Sequence, residues 1–181
     1  PEIEPWLLTL LYTSVLFLVW DVSRYILHRM LHGIPVLWQF HQVHHSAQVL
    51  TPFTFYRTHP VESFLYWLRG ILATAAVAGP FFWVFAGQAQ MWQVLGVHAV
   101  GFGFNVLGGN LRHSHIWLSW GRHLERWFIS PAQHQLHHSK DPAYYNCNYG
   151  SWLAIWDQLS GALVLAGPKR QLDFGLSSAN H

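Results

Sequence analysis

GILATAAVAGPFFWVFAGQAQMWQVLGVHAVGFGFNVLGGNL, residues 70–111, contains no Asp, Glu, Lys or Arg, and its 42 residues lie between Arg69 and Arg112. A membrane-spanning helix needs about 20 apolar residues, so this stretch is long enough for two. Gly87-Gln88-Ala89-Gln90 near its middle reads as a turn, and the spacing predicts a helical hairpin, out over about 64–85 and back over about 91–107. Gly79-Pro80 is expected to kink or break the outgoing arm. The reading of this stretch as a buried hairpin in a soluble core is opposed by composition. Only 10% of residues are charged, against about 25% in ordinary soluble domains.

Upstream, 5–20 is also free of charge and is bracketed by Trp6 and Trp20. Sixteen residues of helix rise ~24 Å, short of the ~30 Å hydrocarbon core, so the helix is expected to continue to about Leu31. Asp21, Tyr25, His28 and His32 then fall on one stripe, because steps of four, three and four return to the same helix face. The fold class expected is all-α, an integral membrane domain covering 1–181. Its spans lie at about 5–31, 64–86 and 90–110, and a helical cap is formed by about 32–60 and 112–181. Pro1 to Glu4 carry acids and no initiator Met, so the start reads as trimmed, and nothing resembles the basic n-region of a signal peptide. A single cysteine, Cys147, excludes an internal disulfide and a thiolate-rich metal site. The formal charge of +2 and scattered basic residues give no support to nucleic-acid binding.

Fourteen histidines stand out, and eight of them cluster: His28 and His32 as H-x-x-x-H, then His41, His44 and His45 as H-x-x-H-H, then His134, His137 and His138 with the same spacing. Residues i, i+3 and i+4 share a helix face, so each cluster can aim its rings at one point. On the expected topology every cluster emerges at one side of the bilayer. All 10 Lys and Arg are on that side too, which the positive-inside rule makes cytoplasmic. So many imidazoles exceed what one metal ion takes, and structural zinc prefers four ligands and cysteine. Two metals bound mainly by neutral nitrogen suit iron and dioxygen chemistry. The acids near the clusters are Asp21, Glu62, Asp141 and Asp157; they are candidates to bond the far ring nitrogens, the alternative being a helix cap or a solvated end.

The three boxes in this order, with His113 before the last, resemble the fatty acid hydroxylase and sterol desaturase superfamily. Trp38-Gln39-Phe40-His41, His59-Pro60-Val61-Glu62, Ser130-Pro131-Ala132-Gln133-His134, and Asn148-Tyr149-Gly150 followed by Trp156-Asp157 support it. The resemblance covers roughly 20–165. It implies a non-haem di-iron membrane enzyme that uses dioxygen and two electrons to oxidise an unactivated C–H bond of a lipid, with hydroxylation favoured over desaturation. Carried over by position, His28, His32, His41, His44, His45, His113, His134, His137 and His138 are the iron ligands. His115 is an alternative to His113, and His59 is a ligand or lies behind one. Zinc can replace the two irons on expression. Many members have four or more spans, so three imply a removed amino terminus or a compact version.

Trp38, Phe55, Tyr56 and Trp127 flank the boxes and are candidates for an alkyl path. No nucleotide or flavin motif is present, so electrons are expected from a separate cytochrome- or ferredoxin-type donor. Arg122, Arg126, Lys140, Lys169 and Arg170 offer it a basic docking face, or else sit against the membrane surface. Two non-enzymatic readings compete. A metal transporter or store would need ionisable groups along the spans, where only His98 falls. An inactive scaffold would have broken boxes.

Overall fold

The computed structural model describes residues 3–85 and 108–176, together with residue 103 and the backbone at 93, 94, 97 and 98. Helix α1 runs Pro5–Gly33. Proline at its first turn costs no hydrogen bond. It stops where Ile34 precedes Pro35: a residue before proline is pushed out of the α region, and Ile34 is extended at φ −106°, ψ 116°. Pro35 then starts α2, Pro35–His45. One residue of extended chain therefore sets the angle between the helices that carry the first two histidine boxes. A 3₁₀ turn at Pro52–Tyr56 leads to α3, Pro60–Val84, whose first turn is capped by the His59 ring accepting from Val61 N–H.

α1 and α3 pack antiparallel. At one end Tyr12 meets Phe81 with ring centroids 5.0 Å apart, within a buried cluster of Leu8, Leu16 and Val77. Further along, Arg69 donates to Trp20 O and Ser23 Oγ at 2.9 Å each, and its guanidinium lies 4.3 Å from the Trp20 ring. Beyond that level both helices are free of charge, over 5–20 on α1 and 70–84 on α3, rising ~24 and ~22 Å. Both are long and apolar enough to cross a membrane. Their outer faces are bare: Trp6 and Leu18 on α1 are 65% and 46% exposed, and Leu72 and Trp83 on α3 are 60% and 86% exposed. Such a face needs lipid against it, which makes this a membrane protein.

Pro80 does not break α3, which runs on to Val84. A proline near a membrane helix end leaves a single carbonyl to be re-satisfied. The returning arm expected over 90–110 lies almost wholly outside the described residues. Within it, β1 (Gln93–Val94) pairs antiparallel with β2 (Val97–His98), extended backbone that β-branched valines favour over the predicted helix.

The rest is a layer of short elements: α4 Asn110–Arg112, α5 Gly121–Leu124, α6 Pro131–His137 and α7 Ile155–Ser160. α6 carries the last box and is fully buried. Ser130 and Gln133 form a reciprocal capping box at its start. Behind the cap, Glu125 accepts from Ser119 Oγ (2.6 Å), Ser130 Oγ (2.8 Å) and Ala166 N–H (2.9 Å). The helix is thereby fixed by its polar surroundings as well as by packing.

Candidate metal centre

The structure brings nine histidines into two adjoining groups. His28, His32, His41, His45 and His137 form one; His44, His113, His134 and His138 form the other. Within each group the facing ring atoms all lie within 4.8 Å of one another. The groups meet where the His45 and His138 rings stack at 4.3 Å. Contrary to the expectation that each H-x-x-H-H box aims at one point, each box is shared. Box two sends His41 and His45 to the first group and His44 to the second. Box three sends His134 and His138 to the second and His137 to the first. At ~100° per residue, i and i+4 are ~40° apart while i+3 lies ~60° to the other side. The two helices use that divergence in opposite senses.

Outer hydrogen bonds set the tautomers. His28 Nδ1 donates to Tyr149 O at 2.7 Å, His137 Nδ1 to Cys147 O at 2.7 Å, His113 Nδ1 to Gly109 O at 2.8 Å and His44 Nδ1 to Arg57 O at 3.2 Å. His41 Nδ1 donates to Glu62 Oε1 at 2.9 Å. A carbonyl can only accept, so Nδ1 holds the proton and Nε2 presents its lone pair inward. Burial drives His41 and His137 down to about 3 and His44 to about 4. It holds His45, His113, His134 and His138 well below the ordinary imidazole range. All are neutral near pH 7, the form in which imidazole ligates.

This arrangement fits metal. Nε2 of His32, His41, His45 and His137 are buried with no hydrogen-bond partner. In the second group, Nε2 of His44 and His113 face each other at 3.0 Å, and His134 Nε2 lies 3.0 Å from His113 Nε2 and 3.1 Å from His138 Nε2. Two lone pairs cannot satisfy each other; a cation between them can. Imidazole–metal bonds of ~2.0–2.1 Å at right angles would separate nitrogens by about 2.9 Å. Five nitrogens in one group exceed tetrahedral zinc and suit an ion with a larger coordination number, such as iron.

The other residues named from the sequence divide. Glu62 is buried and bonds the His41 ring directly. Asp157 stands one step further out, accepting from Tyr149 N–H and Gly150 N–H at 2.8 Å each, and so holds the carbonyl that His28 uses. Asp21 shares a stripe with His28 but bonds no histidine. Its carboxylate takes Trp152 N–H and Leu153 N–H (3.2 Å each) and Trp156 Nε1 (2.8 Å), tying α1 to the cap. His59 is spent on capping α3, and His115 is exposed; neither joins a group.

Trp38 lines a cavity of about 210 Å³ with His32, His45, His137 and His138. Phe55 and Tyr56 line a second of about 330 Å³ with His28, His41, His44, His113 and His134. The nine rings thus form a partition between two cavities. Trp127 lines neither and is 59% exposed.

Sequence reasoning on side chains did not single out Arg57, Gly109 and Cys147, whose carbonyls orient ligand rings. Tyr149, whose carbonyl does the same for His28, figured only through the Asn148-Tyr149-Gly150 resemblance. Arg112 and Glu125 likewise went unassigned to the site. Positive φ at Asn146 (58°) and Asn148 (53°) marks the loop that delivers two of those carbonyls, and asparagine is the non-glycine residue that tolerates it.

The fatty acid hydroxylase family profile matches residues 13–162, which include every histidine of both groups. The chain belongs to the fatty acid hydroxylase family, within the superfamily that also holds sterol desaturases. It is 28% identical to alkylglycerol monooxygenase of Xenopus tropicalis over 177 residues, 98% of this chain and 34% of that protein. It is 30% identical to an ornithine lipid hydroxylase of Rhizobium tropici over 160 residues (87% and 43%). A Delta(7)-sterol 5(6)-desaturase of Gibberella zeae is 27% identical over 151 residues (83% and 41%). The chain therefore spans about a third to two-fifths of the length of these relatives. No solved structure matches it.

Glu62→Gln is expected to weaken metal binding ~10–100-fold while the fold persists, because the amide no longer strengthens His41 as a donor. Competition with a chelator measures this, and unchanged affinity would count against the role of Glu62. Acid should destabilise the metal-free protein. His41, His44 and His137 titrate lower folded than the ~6.5 of the unfolded chain, so the unfolded state binds more protons below that pH. Their contribution is whole above pH ~6.5 and is lost as pH falls. At pH 5.5 the cost is already on the order of 1 kcal/mol per ring. Thermal midpoints that do not drop between pH 7.5 and 5.5 would contradict burial of neutral rings.

Proposed function

We propose that this chain is the metal-binding core of a membrane lipid oxidase that uses two iron ions and dioxygen to oxidise an alkyl C–H bond, hydroxylation being favoured. The observation that carries the reading is the pair of buried imidazole groups, in which the Nε2 lone pairs of His44 and His113 face each other with no proton to share and four Nε2 atoms of the other group have no partner. His28, His32, His41, His45 and His137 would hold one ion and His44, His113, His134 and His138 the other. When bound, the irons supply dioxygen activation.

The chain's own residues do the rest. Carbonyls and Glu62 keep His28, His41, His44, His113 and His137 in the ligating tautomer. Phe55 and Tyr56 give the cavity beside the rings an aromatic wall that excludes water from the reacting carbon. The apolar lengths of α1 and α3 support a cavity at the end of the spans, where a membrane lipid is the available substrate. Hydroxylation balances as C–H plus O₂, two electrons and two protons giving C–OH and water. Desaturation at the same site consumes a second hydrogen and yields two waters. The electrons come from a separate donor of cytochrome or ferredoxin type, docking on the exposed basic residues Arg122, Arg126, Lys140, Lys169 and Arg170. That all Lys and Arg lie toward the histidine end of the spans supports taking that side as the cytoplasmic one, by the positive-inside rule.

The test is metal analysis followed by turnover. Anaerobic loading should give two irons per chain, and oxygen, reductant and a lipid extract should give a product heavier by one oxygen. A product lighter by two hydrogens makes the enzyme a desaturase. One ion or none per chain, or oxygen uptake with no change in any lipid, overturns the proposal.

A further inference from the structure

The cavity of about 330 Å³ beside the second metal group is not an ordinary hydrocarbon slot. Its wall includes Arg24, Arg112, Tyr66, Thr58, Ser63 and Ser151 as well as the ligand rings. We propose that it receives the oxyanion head, phosphate or carboxylate, of an amphiphile, so that the oxidised carbon lies within a few bonds of that head. This rests on the lipid-oxidising reading above and narrows its substrate class.

Arg24 carries the argument. Its Nε donates to Ser151 Oγ at 2.9 Å and its guanidinium lies 4.8 Å from the Tyr66 ring centroid, so the group is held in place. Its two terminal nitrogens have no hydrogen bond among the described residues, and no carboxylate is within ion-pair distance of it. The one acid in the wall, Glu62, is engaged with His41. The guanidinium is half-buried and feels Glu62 only across the wall, so it has no counter-charge in contact. A ligand oxyanion would supply that charge through the terminal nitrogens, which are the geometry Arg offers phosphate and carboxylate.

Size points the same way. The cavity is at the small end of the ~300–1,000 Å³ typical of ligand sites, suited to a head and its first carbons rather than a whole lipid. Arg112 and Ser151 also border a second cavity of about 420 Å³, walled by Leu111, Trp120, Leu124, Phe128, Ile129 and Trp152. That apolar neighbour is where the tail would lie.

The experiment is a binding measurement without chemistry: the full metal-loaded chain in uncharged micelles, oxygen excluded, titrated with hexadecyl phosphate and with hexadecanol. Failure of oxidation leaves this readout untouched, so the two readings fall separately. Hexadecyl phosphate should bind at least ~10-fold more tightly. Arg24→Gln should bring the ratio close to one, while Arg122→Gln on the exposed cap should leave it unchanged. If Arg24→Gln does not fold, Ser63→Asp, which puts a negative charge in the same wall, should lower the ratio instead. Equal affinity for the two probes, or a ratio indifferent to Arg24→Gln or to Ser63→Asp, overturns the proposal. So does displacement of hexadecyl phosphate by an equal concentration of inorganic phosphate, which would make the site one for a free anion.

Discussion

Alanine at His113 is expected to lower bound metal from two ions per chain to one and to abolish lipid oxidation. His113 belongs to the group of four, and its loss leaves three imidazoles where the other group has five. It also comes from α4's C-terminal end, outside both H-x-x-H-H boxes, so no neighbouring ring can take its place. Its Nε2 sits between those of His44 and His134, 3.0 Å from each. Losing a residue that only orients a ligand already costs ~10–100-fold in metal affinity; losing a ligand at the centre of a four-membered set should exceed that. His32→Ala is the informative contrast. It leaves four nitrogens in its group, so metal content should stay near two while turnover falls. Equal metal loss in the two variants would show that the grouping into five and four does not govern binding.

Alanine at Gly150 should be almost as damaging without touching a ligand. A Cβ there would lie 2.7 Å from Leu153 O, 2.8 Å from Asp157 Oδ2 and 2.8 Å from Ile129 Cγ1. Two of those neighbours cannot yield cheaply. Leu153 O is backbone, and Asp157 is fully buried and holds Tyr149 N–H and Gly150 N–H. Relief must therefore come from moving the 149–150 peptide, which displaces the Tyr149 carbonyl that fixes His28. Overpacking of this kind costs ~1–3 kcal/mol. Here it should also lower metal affinity at the five-membered group. Gly150→Ala with wild-type melting and wild-type metal content would refute the close packing of this loop.

Much of this was written in side-chain patterns. The charge-free run after Arg69 and the apolar run before Asp21 announce the two long helices, and the histidine spacing announces helical boxes. What spacing leaves open is how each box divides. The three rings of H-x-x-H-H fan over about 100°, and only the packing of α2 against α6 decides which ring serves which group. Asp21 shows the same limit. Its place on the His28 stripe is correct, yet its partners are Trp152, Leu153 and Trp156, about 130 positions away. The carbonyls of Arg57, Gly109, Cys147 and Tyr149 are invisible in principle, since every residue carries one.

Because each H-x-x-H-H box straddles two groups, chain length inside it is as constrained as residue identity. Deleting Gln135 would swing everything after it by ~100° around the α6 axis. His137 would turn away from the first group, His138 would swing into the direction His137 had held, and the second group would be left a ring short, although no histidine had been removed. The protein can therefore tolerate drift at most positions between its boxes, but a slip of one residue inside such a box reassigns its rings and is equivalent to removing a histidine from one group.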